Sequence, residues 1–337
     1  MFQNTGTATD KQYFTLSDIH KIAPKLVNPH AKEAEQTAKR LCAELGIHLD
    51  DKFDGYNTMS AYLYPTASKE RLIAIIMMMN MLYFIDEVYD RHARDEVDAQ
   101  EDLYLRRVFD NCVPILLRGE MPANDDHVLY QPCLVIYNIV SPLVSENWMK
   151  RLVFSMLQHL KSTTYTLDDI LQTKGGDPIE QYIMLRELDC GMRPAIDMAE
   201  LALGIYLPDE VKQSDYIESI EYPTALIGGL MNDIFSYEKE VVFCDSRFNL
   251  VAILQDYRYL SFDEAVHESV CIVNKYTDDY LERAANIPDF GSPEMNRMVE
   301  LFVEGMGHQI NATWYWQLST DRYCSPTSPF PELRLTH

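Results

Sequence analysis

Three side chains in the second half of the chain, Asn232, Ser236 and Glu240, follow one another at intervals of four residues. At 100° per residue of α-helix they fall on one face, drifting about 40° per step, and all three end in oxygen. Amide, hydroxyl and carboxylate oxygens are the donors that a hard divalent cation such as Mg²⁺ prefers. The three Cα atoms would span about 12 Å, which short side chains do not bridge. Helical side chains lean toward the N-terminus, so the long Glu240 reaches back toward an ion near Asn232. Lys239, seven residues after Asn232, lies within about 20° of it on the same wheel and can meet an anion held by that ion. Gly228 and Gly229, just ahead, allow a neighbouring helix to come close. A solvated polar face is the alternative, and the apolar run from Ala225 to Met231 that leads into the stripe argues against it.

The segment from Asn232 to Glu240, N-D-x-x-S-x-x-K-E, resembles the second metal-binding motif of class I terpene synthases of microbial type. The resemblance implies a first motif of the form D-D-x-x-D/E, and three segments compete for it. Asp50-Asp51-Lys52-Phe53-Asp54 spells it in full, and Asp278-Asp279-Tyr280-Leu281-Glu282 also fits. Asp86-Glu87-Val88-Tyr89-Asp90 departs at its second position. Burial decides among them. Asp50 stands in a polar stretch and Asp278 in a charged helix, whereas Asp86 follows the apolar run IIMMMNMLYFI. A carboxylate on a buried helix is costly unless paired or metal-bound, so Asp86 is the expected ligand, with Asp90 one turn on. Asp86 also stands 146 residues before Asn232, in the order the family implies.

By the same resemblance Arg186, 46 residues before Asn232, is the diphosphate-sensing arginine. Its planar fork suits bidentate phosphate contacts. Asp189 would be the linker, Cys190 would present a backbone carbonyl to the substrate, and Gly191 would loosen the helix there. Arg322-Tyr323 resembles the family's terminal diphosphate-binding pair, to which Lys239 adds a charge. Tyr83 and Trp316 match positions that line the pocket, where an aromatic face stabilises a cation by ~0.5–2 kcal/mol without offering a nucleophile. Met77, Met78, Met79 and Met81 are expected in the core and partly at the cavity wall.

The elements that would position these groups are helices. Apolar residues recur every three or four positions over residues 30–45, 69–94, 103–117, 145–160, 179–203, 223–243, 262–285 and 295–318. Breakers fall between them, among them Asp54-Gly55, Gly175-Gly176-Asp177-Pro178 and Gly291-Ser292-Pro293. No repeat or linker divides the chain, so an all-α single domain over residues 1–337 is expected, with residues 1–25 flexible and 324–337 a tail. The 29 basic and 52 acidic residues give a net charge of −23, which repels nucleic acid and anionic membrane. Arg186, Lys239, Arg322 and metal ions would answer that charge inside the site. The seven cysteines show no metal-type spacing and read as reduced thiols. No signal peptide or membrane span is visible in the sequence, so a cytoplasmic protein is expected.

The resemblance runs from Asn28-Pro29 to Arg322-Tyr323. It implies an α-helical bundle in which three Mg²⁺ ions, with Mn²⁺ as a substitute, ionise an isoprenoid diphosphate. Farnesyl diphosphate is the first candidate substrate and geranylgeranyl diphosphate the next. A homodimer is left open. A chain-elongating prenyltransferase of the same fold would carry a second D-D-x-x-D where this chain has Asn232, Ser236 and Glu240. A non-catalytic helical scaffold would leave a buried Asp86 unexplained.

Overall fold

The structure is a computed structural model that describes residues 16–48, 54–89, 99–162, 167–168, 171 and 175–334; for residues 54, 86–89, 99–102 and 105 it describes the backbone alone. Among the described residues every regular element is helical. The first half contains α1 (Ala31–Glu44), α2 (Asp54–Leu63), α3 (Lys69–Tyr89), α4 (Ala99–Arg118), α5 (Tyr130–Val140) and α6 (Glu146–Ser162). The second contains α7 (Pro178–Asp189), α8 (Met192–Leu203), α9 (Asp215–Tyr237), α10 (Leu250–Arg258), α11 (Phe262–Ala284) and α12 (Pro293–Ser319).

Local chemistry starts these helices. Asp177, Ser214, Asn249, Ser261 and Ser292 each accept a hydrogen bond from a backbone N–H of the first turn that follows. Such caps satisfy amides that would otherwise lack a partner. Ser261 and Glu264 cap each other reciprocally, and Pro178 and Pro293 stand where a missing N–H costs nothing.

Helix α9 is the axis of the molecule, packed by α7, α8, α10, α11 and α12. Every residue from Pro223 to Met231 is buried, so the helix has no solvent stripe over that stretch. Gly228 and Gly229 make the close approach expected of them. A Cβ on Gly228 would stand 2.6 Å from Met192 Cγ, and one on Gly229 would stand 2.8 Å from Cys190 Cβ. Helix α9 is thereby pressed against the junction of α7 and α8.

Several expectations are corrected. Asp54-Gly55 does not break the chain; it opens α2, where Gly55 makes room for Thr320, whose Oγ1 would lie 2.8 Å from a Cβ. Helices α5 and α10 were not foreseen, and α9 begins at Asp215 behind its Ser214 cap rather than at Pro223. After Tyr237 the helix widens into a π-turn over Glu238–Phe243. The flexible start is partly docked: Leu16 and Ile19 are buried, and the Ile22 and Ala23 amides donate to Asn311 Oδ1, each at 3.2 Å. The tail folds back as far as residue 334, with Ser325 and Thr327 hydroxyls donating to Glu238 Oε1 at 3.3 and 2.6 Å. Among the described residues no helix is long and apolar enough to cross a membrane.

Candidate active site

Helix α7 stops at Asp189, Cys190 caps it, and Gly191 adopts φ +72° before α8 begins at Met192. That left-handed backbone favours glycine, so the helix break falls where the sequence placed it. The break sets the direction of the last turn of α7, which carries Arg186.

The Arg186 guanidinium, 11% exposed, turns toward α9. Its Nε donates to Asp233 Oδ1 at 2.9 Å, Nη1 to Asp189 Oδ2 at 3.2 Å and Nη2 to Asn232 Oδ1 at 3.1 Å. The Asn232 amide nitrogen in turn donates to the Tyr323 hydroxyl at 2.8 Å and to Gln317 Oε1 at 3.1 Å. One chain of hydrogen bonds therefore joins Asp189 and Arg186 on α7, Asn232 on α9 and Tyr323 just beyond α12. Burial is the largest influence on Arg186 and works against its charge, but Asp233, Tyr182 and Asp189 together outweigh it and keep the guanidinium protonated. Burial likewise pushes the Cys190 thiol up to about 12, so that sulfur stays neutral.

Ser236 is fully buried one turn after Asn232, and its hydroxyl has no hydrogen-bond partner of good geometry. Glu240 lies in the π-turn, where Asn249 Nδ2 donates to its Oε2 at 3.3 Å. Burial raises the Glu240 carboxyl to about 6, with Arg186 pulling it down and Asp233 pushing it up. The π-turn alters the helical wheel used above: rotation per residue falls after Tyr237, so half-buried Lys239 and Glu240 trail their α-helical positions. The described residues hold no group of three His, Cys, Asp or Glu that could bind a metal. The candidate donors here are instead an amide, a hydroxyl and one carboxylate. An orphaned buried hydroxyl beside a carboxylate that resists ionising suits a hard cation.

Tyr83 and Trp316 are joined through a third ring, Tyr56. Tyr83 on α3 stacks on Tyr56 of α2 with centroids 4.0 Å apart. Tyr56 stacks on Trp316 of α12 at 6.3 Å, and Trp316 meets Tyr323 edge-on at 6.0 Å. The Arg322 guanidinium carbon lies 4.9 Å from the Tyr56 ring centre. Trp316 Nε1 donates to the Gly55 carbonyl, which ties α12 to the start of α2. Tyr56 was missed because Gly55 was read as a break; the aromatic residue directly after it was the available signal.

Asp86 lies in the last turns of α3, but its side chain and all of Asp90 and Asp50 fall outside the described residues. Asp278 is solvated, as expected, with His20 Nδ1 beside it at 3.1 Å. Met77 and Met78 are wholly core. Met81 lines a small apolar pocket, together with Ile85, Phe109, Cys112, Met156 and Leu160, that is open in part to solvent. That pocket lies on the face of α3 turned away from Tyr83 and shares no lining residue with the site.

Residues 77–279 match the sequence profile of terpene synthase family 2, C-terminal metal binding. Among relatives, a Delta(6)-protoilludene synthase of Stereum hirsutum is 24% identical over 306 residues, covering 89% of this chain and 80% of the relative. A (+)-T-muurolol synthase of Roseiflexus castenholzii, described as cyclising (2E,6E)-farnesyl diphosphate, is 24% identical and covers 91% of this chain and 93% of the relative. Among solved structures, an a-eudesmol synthase superposes with a TM-score of 0.76 at 20% identity, over 89% of this chain and 98% of that one. Germacradien-4-ol synthase from Streptomyces citricolor gives 0.74 at 17% identity, over 90% and 99%.

Proposed function

This chain belongs to the terpene synthases, with the all-α fold of the class I enzymes, and from that premise we propose that it ionises farnesyl diphosphate and cyclises the resulting cation. The choice of a C15 substrate is supported by the relative described as cyclising farnesyl diphosphate. Geranylgeranyl diphosphate is the next candidate.

The observation that carries this reading is the hydrogen-bond chain from Arg186 through Asn232 to Tyr323. Residues from three separate elements meet, and each can bind a diphosphate oxygen or a metal. Asn232, Ser236 and Glu240 would hold one Mg²⁺, and Asp86, with Asp90, would hold the others on the wall formed by the end of α3. When bound, Mg²⁺ neutralises the departing diphosphate and so lowers the barrier to breaking the C–O bond.

The protein's own groups do the rest. Arg186 donates two N–H groups to the diphosphate where Asn232 and Asp189 now accept them, and Lys239, Arg322 and Tyr323 complete the anion's shell. Movement of Arg186 is passed through Asp189 to the break, where the Cys190 carbonyl faces the developing cation. Tyr56, Tyr83 and Trp316 present π faces to that cation. The close packing of α9 on the break keeps the wall dry.

The test is incubation with C10, C15, C20 and C25 diphosphates plus Mg²⁺, with products identified by mass spectrometry. A cyclic C15 product with released diphosphate is expected. Elongated prenyl diphosphates would mean a prenyltransferase, and no diphosphate release from any substrate would end the reading.

A further inference from the structure

Asp233 has no place in the metal stripe, yet it is the most completely enclosed acid beside the site, with 0% of its surface exposed. A carboxylate so placed must be answered by donors on every side. Its Oδ1 takes Arg186 Nε at 2.9 Å. Its Oδ2 takes the Tyr182 hydroxyl at 2.7 Å and the Leu250 amide at 3.1 Å, at the N-terminus of α10. Asn249 Nδ2 donates to the Asp233 main-chain carbonyl at 2.7 Å. The carboxylate is thus held by two elements, α7 and α10, and it grips Arg186 by the one nitrogen that lies off the outer edge of the guanidinium fork. Nη1 and Nη2 are left facing Asp189 and Asn232.

Tyr182 and Arg186 are four residues apart on α7 and so share a face, which lets both reach the same carboxylate. The Tyr182 ring is fully buried and meets Phe248 edge-on at 5.1 Å, so its hydroxyl has little freedom. From this geometry we infer that Asp233, fixed by Tyr182, is a positioning residue that aims the Arg186 fork at the diphosphate without itself touching metal or substrate. The inference rests on the reading of Arg186 as a diphosphate ligand. It assigns a task to two buried groups that metal binding does not use.

The experiment is a double-mutant cycle on the intact chain. The affinity for inorganic diphosphate in the presence of Mg²⁺ is measured by calorimetry for the wild type, Tyr182→Phe, Arg186→Ala and the double variant, with unfolding temperature followed in parallel. Tyr182→Phe keeps the ring and removes one hydrogen bond to a buried carboxylate, so affinity should fall roughly five- to tenfold while the unfolding temperature drops by several degrees but the protein stays folded. In the Arg186→Ala background the same substitution should have no further effect, because the group it aims is gone. Combined with Lys239→Ala, which removes a separate diphosphate contact, its effect should multiply. An equal loss with and without Arg186 would overturn the inference and leave Tyr182 and Asp233 as packing groups. If Arg186→Ala alone leaves diphosphate affinity unchanged, the reading of Arg186 fails first and the inference falls with it. Asp233→Asn should reproduce the loss seen in Tyr182→Phe, and the Tyr182 cycle stands if that variant does not fold.

Discussion

Arg186 and Arg193 stand seven residues apart on the two sides of the Cys190-Gly191 break, and both reach acids of α9. Their surroundings differ in kind. Arg193 Nε is held by Glu187, Nη2 by Glu218 Oε1 at 2.7 Å, and Nη1 lies 3.4 Å from Glu221 Oε2. Glu221 is shared with buried Lys212, which also lies 3.2 Å from Asp197. Carboxylates outnumber cations there, and every donor faces a charge belonging to the protein. Arg186 has one carboxylate on Nε and one on Nη1, but Nη2 rests on the neutral Asn232 amide. A phosphate oxygen would outcompete that amide, because charge-assisted hydrogen bonds are about twice as strong as neutral ones. Burial of an arginine therefore does not mark a binding site; a partner that a ligand can displace does.

The largest test of this contrast is the exchange of each arginine. Arg186→Lys keeps the charge and loses the fork, and turnover should fall roughly 10²–10³-fold, as for loss of an electrostatic donor worth ~3–4 kcal/mol. Arg193→Ala should leave turnover of the folded protein within about threefold, while stranded glutamates destabilise the fold by ~3–5 kcal/mol in urea unfolding. Steady-state rates and unfolding curves on both variants decide the matter. If Arg193→Ala were the variant that lost turnover at unchanged stability, the assignments would have to be exchanged.

A smaller effect separates the metal stripe from the ion network. Glu240→Gln should raise the Mg²⁺ concentration needed for half-maximal rate by about 10- to 100-fold, at least the cost of losing an outer-shell partner. Glu221→Gln removes a more deeply buried acid from the Arg193 end and should leave that Mg²⁺ requirement alone. Magnesium titrations of both variants provide the check, and an unchanged requirement in Glu240→Gln would remove Glu240 from the ligands.

How far this contrast could be read from sequence depends on how local each feature is. The break at Cys190-Gly191 is a pattern within a single turn and was legible, as was the shared helix of Asn232 and Ser236. Glu240, by contrast, stands beyond the end of that regular helix. The offset between Arg186 and Asn232 was legible only through resemblance, since nothing in the chain between them shows that they touch. Asp233 was passed over because its partners, Tyr182 and Leu250, arrive from α7 and α10, which spacing within α9 does not reveal. Gly55 misled because a glycine that admits a neighbouring Thr320 looks the same in sequence as one that ends a helix. The π-turn at Glu238–Phe243 was invisible for a similar reason: its wider hydrogen-bond pattern follows from how the segment packs rather than from residue type.

The subtlest test makes the Arg186 end resemble the Arg193 end by one atom. Asn232→Asp replaces the neutral amide on Nη2 with a carboxylate and removes the donor that serves Tyr323 and Gln317. A metal would lose nothing in donor type, since carboxylate oxygens bind Mg²⁺ at least as well as amide oxygens. The guanidinium, however, would then be charge-paired on all three sides, as Arg193 is. Mg²⁺ affinity should hold or rise, while the affinity for inorganic diphosphate falls roughly 5- to 30-fold, because the anion must now displace an ion pair worth about 1–2 kcal/mol more than the neutral bond. Calorimetric titration of each ligand alone and then together separates the two effects. Should diphosphate affinity rise instead, the Asn232 contact is not what restrains Arg186, and the difference between the two arginines lies in their exposure to the cavity rather than in the charge of their partners.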